Sequence, residues 1–269
     1  MAKISIAKST AEGAPAERRD SFDLTGRTAF VTGGLGLIGR EICAGLRAAG
    51  ATTVALEPDA PATGPEDVTV APFDAARFEG FGDSLAALED AHGPARIWIN
   101  CAYPRTDDWA QSRQEPFDAE AWRRNVDLQM NAVCALSAAV AERMAARGEG
   151  SLVNSASIYG VVAPDFAIYE GTDMGTPPAY SAIKGGIIAY TRYLAAHFGP
   201  RGVRVNALCP GGVANAQPRS FADAYSARTA LKRLAAADEI AGPAVFLASD
   251  AASYVTGATL MVDGGLTAL

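Results

Sequence analysis

Tyr180 and Lys184 are the two side chains of this 269-residue chain whose spacing best suits proton transfer. A separation of four residues puts a phenol and an ammonium on the same face of a helix. A phenol with a pKa near ~10 is a poor base at neutral pH, and a neighbouring cation moves its pKa toward the working range. Of the eight tyrosines, only Tyr180 has a lysine four residues further on. The pair predicts general acid–base chemistry, the alternative being a surface lysine beside a core tyrosine.

Two serines lie upstream of this pair, at the end of a short apolar run. The segment Leu152–Asn154 continues directly into Ser155-Ala156-Ser157. A hydroxyl at the end of a strand can hydrogen-bond a substrate oxygen while the charge on that oxygen changes. We therefore expect one of the two serines to face a substrate.

A glycine run, Thr32-Gly33-Gly34-Leu35-Gly36-Leu37-Ile38-Gly39, stands between a predicted strand and a predicted helix. Glycine permits a tight turn and a close approach of a pyrophosphate, and the helix N-terminus offers free N–H groups and a positive dipole end to that anion. The context predicts a dinucleotide site rather than a purely structural turn. The expected contacts of the dinucleotide are Gly33, Leu35, Gly36, Leu37 and Ile38.

Glu57 ends the second predicted strand, 24 residues after Gly33. A carboxylate at this place hydrogen-bonds ribose hydroxyls and repels a 2′-phosphate, which favours NAD over NADP. Neither Arg nor Lys occurs between Thr32 and Gly39 to hold a 2′-phosphate. The alternative is an ordinary solvated carboxylate before Pro58.

The elements that must position these residues alternate along the chain. Short apolar runs followed by longer Ala/Leu-rich segments predict βαβ units and a buried parallel sheet. We expect one α/β domain at residues 22–269, after a flexible N-terminal arm at residues 1–21. The predicted strands are Thr28–Thr32, Thr53–Glu57, Val68–Phe73, Arg96–Asn100, Ser151–Asn154, Arg204–Leu208 and Thr259–Val262. The predicted helices are Ile38–Ala49, Ala75–Ala91, Ala119–Arg147, Ala179–Phe198, Phe221–Ala227 and Ala237–Ser249.

Three irregular segments each follow a predicted strand: Tyr103–Pro116, Tyr159–Pro178 and Gly211–Ser220. In an open α/β sheet, ligands bind at the carboxyl ends of the strands. We therefore expect all three segments to line the pocket.

Composition excludes several classes of function. Lys plus Arg is 23 and Asp plus Glu is 30, a net charge of −7, which argues against a nucleic-acid or anionic-membrane surface. No uncharged apolar run reaches ~18 residues, so we expect no membrane span. No cluster has metal-ligand spacing. The cysteines, which predict reduced thiols in a cytoplasmic protein, are Cys43, Cys101, Cys134 and Cys209.

Together these motifs resemble the short-chain dehydrogenase/reductase family, from roughly Phe22 to Ala268. The resemblance implies a Rossmann-like, doubly wound sheet of seven parallel strands flanked by helices. It implies Tyr180 as the catalytic acid/base, with Lys184 lowering the tyrosine pKa and binding ribose. Of the two serines, it implies that Ser157 holds the substrate oxygen.

The resemblance also implies further cofactor contacts. These are Asp74 and Ala75 at the adenine, Asn100 and Ala102 beside the cofactor, and Pro210, Gly211 and Val213 at the nicotinamide carboxamide. The closing segment "FLASDAASYVTGATLMVDGG" is similar to the part of the family that builds subunit contacts. A homo-oligomer, either a tetramer or a dimer, is therefore expected.

The chain departs from the family pattern at four places. The glycine run has the TGxxGxxG spacing of extended members, Tyr103 replaces the glycine of "NNAG", and 23 residues separate Ser157 from Tyr180, an insertion relative to the family. Gln129 stands where the family has a catalytic asparagine. Asn131 lies two residues further on, about 200° around a helix, so we expect it to face elsewhere.

Arg105 and Tyr159 are the residues expected to contact substrate. The segments "AYPR" and "SIYGVVAPDF…YEGT" resemble members that act in surface-polysaccharide and nonulosonic-acid, legionaminic-type sugar pathways. Arginine is suited to bidentate recognition of an anionic group. Arg105 would then face an anionic sugar, the alternative being a solvated surface arginine.

The expected function is hydride transfer between NAD(H) and a secondary alcohol or ketone, with a small molecule such as a sugar or sugar phosphate as substrate. An NAD-retaining epimerase or dehydratase is a second interpretation, because the glycine spacing occurs there also. A catalytically silent NAD(H)-binding scaffold is a third, suggested by Gln129. The presence of Ser157, Tyr180 and Lys184 together favours an enzyme.

Overall fold

The computed structural model describes residues 20–59, 68–109 and 117–269. Seven strands form one parallel sheet in the order β3-β2-β1-β4-β5-β6-β7, which confirms the predicted fold class. The strands are β1 Thr28–Thr32, β2 Thr52–Glu57, β3 Thr69–Pro72, β4 Ala95–Asn100, β5 Gly150–Ser155, β6 Val203–Pro210 and β7 Thr259–Val262. The predicted N-terminal arm, residues 1–21, lies outside the described residues except for its last two, which are exposed.

Helices cover both faces of the sheet, because the strands are apolar on both sides. Ile42 and Leu46 of α1 pack on one face together with Leu247 of α7. Leu136 of α4 and Leu194 of α5 belong to the core on the other face. The helices are α1 Leu37–Ala48, α2 Phe81–His92, α3 Ala119–Val126, α4 Ala132–Arg147, α5 Pro178–Phe198, α6 Arg219–Arg228 and α7 Ala241–Ala248.

The helix predicted at Ala119–Arg147 is interrupted. A π-helical turn, Asp127–Asn131, separates α3 from α4 and contains Gln129. The residues flanking this turn keep right-handed helical dihedral angles, so the chain stays helical from α3 into α4. A π turn inserts one residue into the helical repeat and is frequent at functional sites.

Two other predicted helix starts were wrong. The helix expected from Ala75 begins only at Phe81, because Gly80 takes a left-handed conformation with φ of 84°. The helix expected from Ala237 opens as a 3-10 turn, Ala237–Ile240, and α7 follows at Ala241–Ala248. Neither change affects the strands, whose carboxyl ends carry the site.

A buried polar network ties the two central strands to two helices. The Asn100 Nδ2 group donates to Ser137 Oγ at 3.0 Å and to Asn154 Oδ1 at 2.8 Å. Asn154 Nδ2 donates to Thr191 Oγ1 at 3.0 Å, and Trp98 Nε1 donates to Asn100 Oδ1 at 2.8 Å. Each of these buried polar side chains thus has a partner, which avoids the cost of burying them unpaired. The network holds the ends of β4 and β5 in register beneath the site.

Candidate active site

A cleft of about 770 Å³ opens at the carboxyl ends of the strands, where the strand order reverses between β1 and β4. This volume lies in the range of about 300–1,000 Å³ typical of ligand sites. Each of the three irregular segments contributes to its lining, as predicted: the first with Tyr103, the second with Met174 and the third with Gln217. The remainder of Tyr103–Pro116 beyond Trp109 lies outside the described residues.

The glycine loop forms one end of the cleft. Gly33 has φ of +65°, and a Cβ there would lie 2.7 Å from Ala102 Cα. A Cβ on Gly39 would lie 2.0 Å from the carbonyl oxygen of Gly33, so α1 can pack this closely only with glycine. Gly36 caps α1 without a side-chain hydrogen bond, and Leu37 and Ile38 line the cleft at the helix N-terminus. These features fit a pyrophosphate, because the first N–H groups of a helix lack intrahelical partners.

Glu57 lies beside this loop at the end of β2. Its Oε1 atom accepts a hydrogen bond from the Leu35 N–H group at 2.7 Å. The carboxylate therefore braces the glycine loop with one oxygen, and Glu57 also lines the cleft. Asp74 and Ala75 follow β3, next to Glu57, where the Phe73 N–H group donates to the Glu57 carbonyl at 2.8 Å. Asp74 is exposed, and neither Asp74 nor Ala75 lines the cleft.

Ser157, Tyr180 and Lys184 meet at the other end of the cleft. Ser157 follows β5, while Tyr180 and Lys184 lie in the first two turns of α5. The Ser157 hydroxyl is close enough to the Tyr180 phenol to act on its pKa. The Lys184 Nζ atom donates to the Ser155 carbonyl at 3.0 Å and lies 5.7 Å from the centroid of the Tyr180 ring. The tertiary structure therefore assembles the predicted catalytic group.

Burial is the largest cause of the pKa shifts of Tyr180 and Lys184. Burial raises the pKa of Tyr180, although the Ser157 hydroxyl acts in the opposite direction. Burial also lowers the pKa of Lys184 to about 8. That Lys184 lowers the Tyr180 pKa stays a prediction; the net shifts seen here arise because desolvation penalises the charged forms of both groups. The phenol is thus held in its protonated form at neutral pH.

The loop after β6 forms a further wall of the cleft. Pro210, Gly211 and Val213 line the cleft as expected. The Gly212 N–H group donates to the Tyr225 hydroxyl of α6 at 2.5 Å, and a Cβ on Gly212 would lie 2.7 Å from the Tyr225 ring. Tyr225 was not predicted from the sequence, since nothing in the spacing of α6 indicates which residue reaches this loop.

Comparisons with known proteins agree with this geometry. A family model described as enoyl-(acyl carrier protein) reductase matches residues 37–267. Galactitol 2-dehydrogenase (L-tagatose-forming) of Cereibacter sphaeroides is 36% identical over 265 residues, 93% of this chain and 98% of that protein. The chain belongs to the short-chain dehydrogenase/reductase family. It is therefore an oxidoreductase that moves hydride between a nicotinamide dinucleotide and a secondary alcohol or ketone.

Two solved structures of this family are similar over nearly the whole chain. A short-chain dehydrogenase from Leptospira borgpetersenii with bound NAD+ has a TM-score of 0.81 and 28% identity, covering 96% of this chain and 100% of that one. A gluconate 5-dehydrogenase from Burkholderia cenocepacia, in complex with NADP and tartrate, has a TM-score of 0.78 and 28% identity, covering 93% and 98%. The family therefore settles a nicotinamide cofactor but leaves the choice between NAD and NADP open.

Gln129, at the family's asparagine position, does not line the cleft. Its side chain is buried, and its Nε2 group donates to Asn125 Oδ1 at 3.2 Å. Its Oε1 atom has no hydrogen-bond partner among the described residues. Asn131 faces elsewhere, as expected: its Nδ2 group bonds the exposed Asp127 carboxylate. A direct catalytic part for Gln129 stays a prediction.

Asn100 and Tyr159 also have side chains engaged away from the cleft. The Asn100 amide belongs to the buried network beneath the sheet end, while its neighbour Ala102 lines the cleft. The Tyr159 hydroxyl lies 3.0 Å from the Tyr169 hydroxyl, which lies 2.7 Å from Thr176 Oγ1. Only the ring of Tyr159 approaches the site, 6.4 Å from the Tyr180 ring.

Two aromatic residues near Tyr180 were not predicted from the sequence as parts of the site. The centroids of Tyr103 and Trp109 lie 5.8 and 6.4 Å from that of Tyr180, in edge-to-face arrangements. Tyr103 stands at the family's glycine position, and that substitution was the one available signal. The Tyr103 ring replaces the hydrogen atom that is the side chain of glycine, and it narrows the entrance to Tyr180.

The described residues contain no group of three or more His, Cys, Asp or Glu side chains that could hold a metal ion. Within the same ranges, no helix has both the length and the apolar character needed to span a membrane.

Proposed function

We propose that this protein is an NAD-dependent dehydrogenase whose substrate is a secondary alcohol of a sugar or a similar polyhydroxy compound. The observation that carries the proposal is the meeting of Ser157, Tyr180 and Lys184 in the same cleft as the glycine loop. A scaffold without catalysis would have no need to place a phenol, a hydroxyl and a buried ammonium around one space.

In the proposed reaction, Tyr180 exchanges a proton with the substrate oxygen. Ser157 hydrogen-bonds the same oxygen and holds it beside the phenol. Lys184, fixed by the Ser155 carbonyl, remains available to ribose hydroxyls through its other two N–H groups. The nicotinamide, when bound, supplies or accepts the hydride. Gln129 is proposed to act through the π turn that it occupies, since its side chain is not exposed to the cleft.

Several features support NAD rather than NADP. Glu57 stands beside the glycine loop, where a carboxylate accepts hydrogen bonds from ribose hydroxyls and repels a 2′-phosphate. Among the described residues that line the cleft, the basic side chains are Arg105 and Lys184, both next to Tyr103 and away from Glu57. We propose that Asp74 and Ala75 border the adenine, and that Asn100 acts on the cofactor through the backbone that leads to Ala102.

The sugar-like substrate is supported by a relative that oxidises galactitol. We further propose a sugar of a surface-polysaccharide or nonulosonic-acid pathway, with Arg105 and the ring of Tyr159 at the substrate. The net charge of −7 supports an enzyme of small molecules that binds neither nucleic acid nor membrane, and the four separate cysteines support a cytoplasmic location. We also propose that the protein forms a homo-oligomer, either a tetramer or a dimer.

The test is a titration of the purified protein with NADH and with NADPH, followed by nicotinamide fluorescence. We expect NADH to bind at least tenfold more tightly, and Glu57→Gln to reduce this preference. Tighter binding of NADPH would overturn the assignment of Glu57. Binding of neither nucleotide would overturn the proposed function, and cofactor that remains bound through purification would favour the epimerase or dehydratase interpretation.

A further inference from the structure

A second cavity opens beside the cleft, on the far side of Tyr103. This side pocket has a volume of about 290 Å³ and is lined by Tyr103, Arg105, Trp109, Gly175, Thr176, Pro177 and Tyr180. Three of these residues, Tyr103, Arg105 and Tyr180, also line the cleft. Tyr103 and Arg105 therefore form the boundary between the two spaces, and the phenol of Tyr180 borders both.

Arg105 is the charged residue of this side pocket. Its guanidinium carbon lies 5.3 Å from the centroid of the Tyr103 ring, a stacking distance that restrains the side chain. No carboxylate among the described residues forms an ion pair with Arg105. Asp107 and Asp108 border a shallower depression that Arg105 also lines, but Asp108 is paired with Arg124 at 2.5 Å. Within the described part of the chain, Arg105 thus has donors that are available to a ligand.

The remaining walls suit the carbon chain of a polyhydroxy compound. The Tyr103 and Trp109 rings and Pro177 offer apolar faces, and such surfaces pack against C–H groups. The Thr176 hydroxyl is already bound to Tyr169 and is less available. The single positive charge of Arg105 matches a single negative charge, and its planar guanidinium fork matches a carboxylate.

We propose that the side pocket binds the carboxylate end of a sugar-acid substrate through Arg105, while the reacting carbon lies at Tyr180. The inference rests on the proposed function and narrows its substrate to hydroxy acids of the aldonate class. Arg105 would then be the residue that separates aldonates from the corresponding neutral alditols.

The experiment compares matched ligands on the complex of the full-length enzyme with NADH, in which an alcohol binds without turnover. The probes are D-gluconate, D-galactonate and D-mannonate, each paired with its alditol, and D-glucitol 6-phosphate. Affinity is measured by calorimetry. We expect at least one aldonate to bind about tenfold or more tightly than its alditol, because hydrogen bonds to charged groups add that much. The phosphate should bind more weakly than that aldonate.

Two variants decide whether Arg105 is responsible. Arg105→Gln should lower the affinity for the aldonate about tenfold and so remove its preference over the alditol. Arg201→Gln removes an equal charge from an exposed pair with Glu142 beyond the far end of α5, and it should change nothing. Any of three results would overturn the proposal. They are equal affinity for every aldonate and its alditol, tighter binding of D-glucitol 6-phosphate than of the aldonates, or a preference for the aldonate that survives Arg105→Gln. Failure of NADH to bind would instead refute the proposed function.

Discussion

At the scale of single residues, the chemistry depends on how burial changes Tyr180 and Lys184. The sequence spacing suggests a phenol that is activated by a cation, but the structure shows both groups desolvated. A protonated phenol is ready to donate a proton to a carbonyl oxygen, whereas abstraction of a proton from an alcohol requires the phenolate. The same residue therefore serves the two directions of the reaction under different pH conditions.

The raised pKa of Tyr180 predicts opposite pH profiles for the two directions. Below this pKa, the rate of alcohol oxidation should rise about tenfold per pH unit, because the fraction of phenolate does. The rate of carbonyl reduction should be constant through neutral pH and fall only in alkaline solution. Initial rates with NAD+ and with NADH across pH 6 to 10 measure both profiles.

A matched pair of variants tests whether Tyr180 is the titrating group. Tyr180→Phe should lower turnover by about 10²–10⁴-fold, the usual contribution of a general acid or base, and leave NADH affinity within a few-fold. Tyr190→Phe makes the same change on the same helix outside the cleft and should keep both profiles. Unchanged turnover in Tyr180→Phe would remove this residue from the mechanism.

At the scale of elements, the segment between Ser157 and Tyr180 is a packed structure rather than a loose insertion. Ile158 and Ile168 belong to a small core with Phe221 and Tyr225 of α6. The Tyr169 ring stacks on Phe221 with centroids 5.5 Å apart. The insertion and α6 consequently support each other above the sheet, and α6 in turn reaches the loop after β6.

Tyr225 carries this support to the proposed nicotinamide site, because its hydroxyl accepts the Gly212 N–H group. Tyr225→Phe leaves that N–H group without its partner, which costs about 1 kcal/mol or more for a buried group. We expect NADH affinity to fall roughly five- to tenfold, which is that energy expressed as a binding ratio. Fluorescence titration measures the effect.

Tyr254→Phe is the control, because Tyr254 is fully exposed and loses the same hydroxyl. NADH affinity should be unchanged in this variant. Equal NADH affinity in Tyr225→Phe and the parent enzyme would show that the loop keeps its conformation without the phenol.

At the scale of the whole molecule, the desolvation of four buried or half-buried thiols links stability to alkaline pH. Burial raises the pKa of Cys43 from 9.0 to about 12 and those of Cys101, Cys134 and Cys209 to about 11. The unfolded chain therefore releases these protons at lower pH than the folded chain does. The stabilisation is fully present below pH 9 and is lost as the pH rises toward 11 and above.

Lys184 acts in the opposite direction. Its folded pKa of about 8 lies below the ordinary lysine value of 10.5, so its contribution to stability increases between these two pH values. Four thiols outweigh one amine, and we expect the melting temperature to fall steadily above pH 9. Thermal unfolding from pH 7 to 11 measures this, and Cys134→Ala should make the decline shallower. A melting temperature independent of pH in this range would contradict the prediction.

The sequence by itself determined the features that depend on local spacing. The strand at Thr28–Thr32, the glycine loop, and the Tyr180 and Lys184 pair on one helix face were all predictable, because chain neighbours and helical periodicity decide them. The order of strands then brought the loop and the pair to one edge. The resemblance to the family supplied the roles of these residues.

Only the tertiary structure decided the features that depend on groups distant in sequence. The direction of the Tyr180 pKa shift follows from burial by several elements, and no spacing encodes that burial. Asn100 hydrogen-bonds Ser137 and Asn154, and Gly212 hydrogen-bonds Tyr225. The sequence pattern does not show which of these residues come together. Contacts of this kind arise when the sheet closes and helices pack on it, since desolvation and hydrogen-bond geometry are properties of the packed molecule.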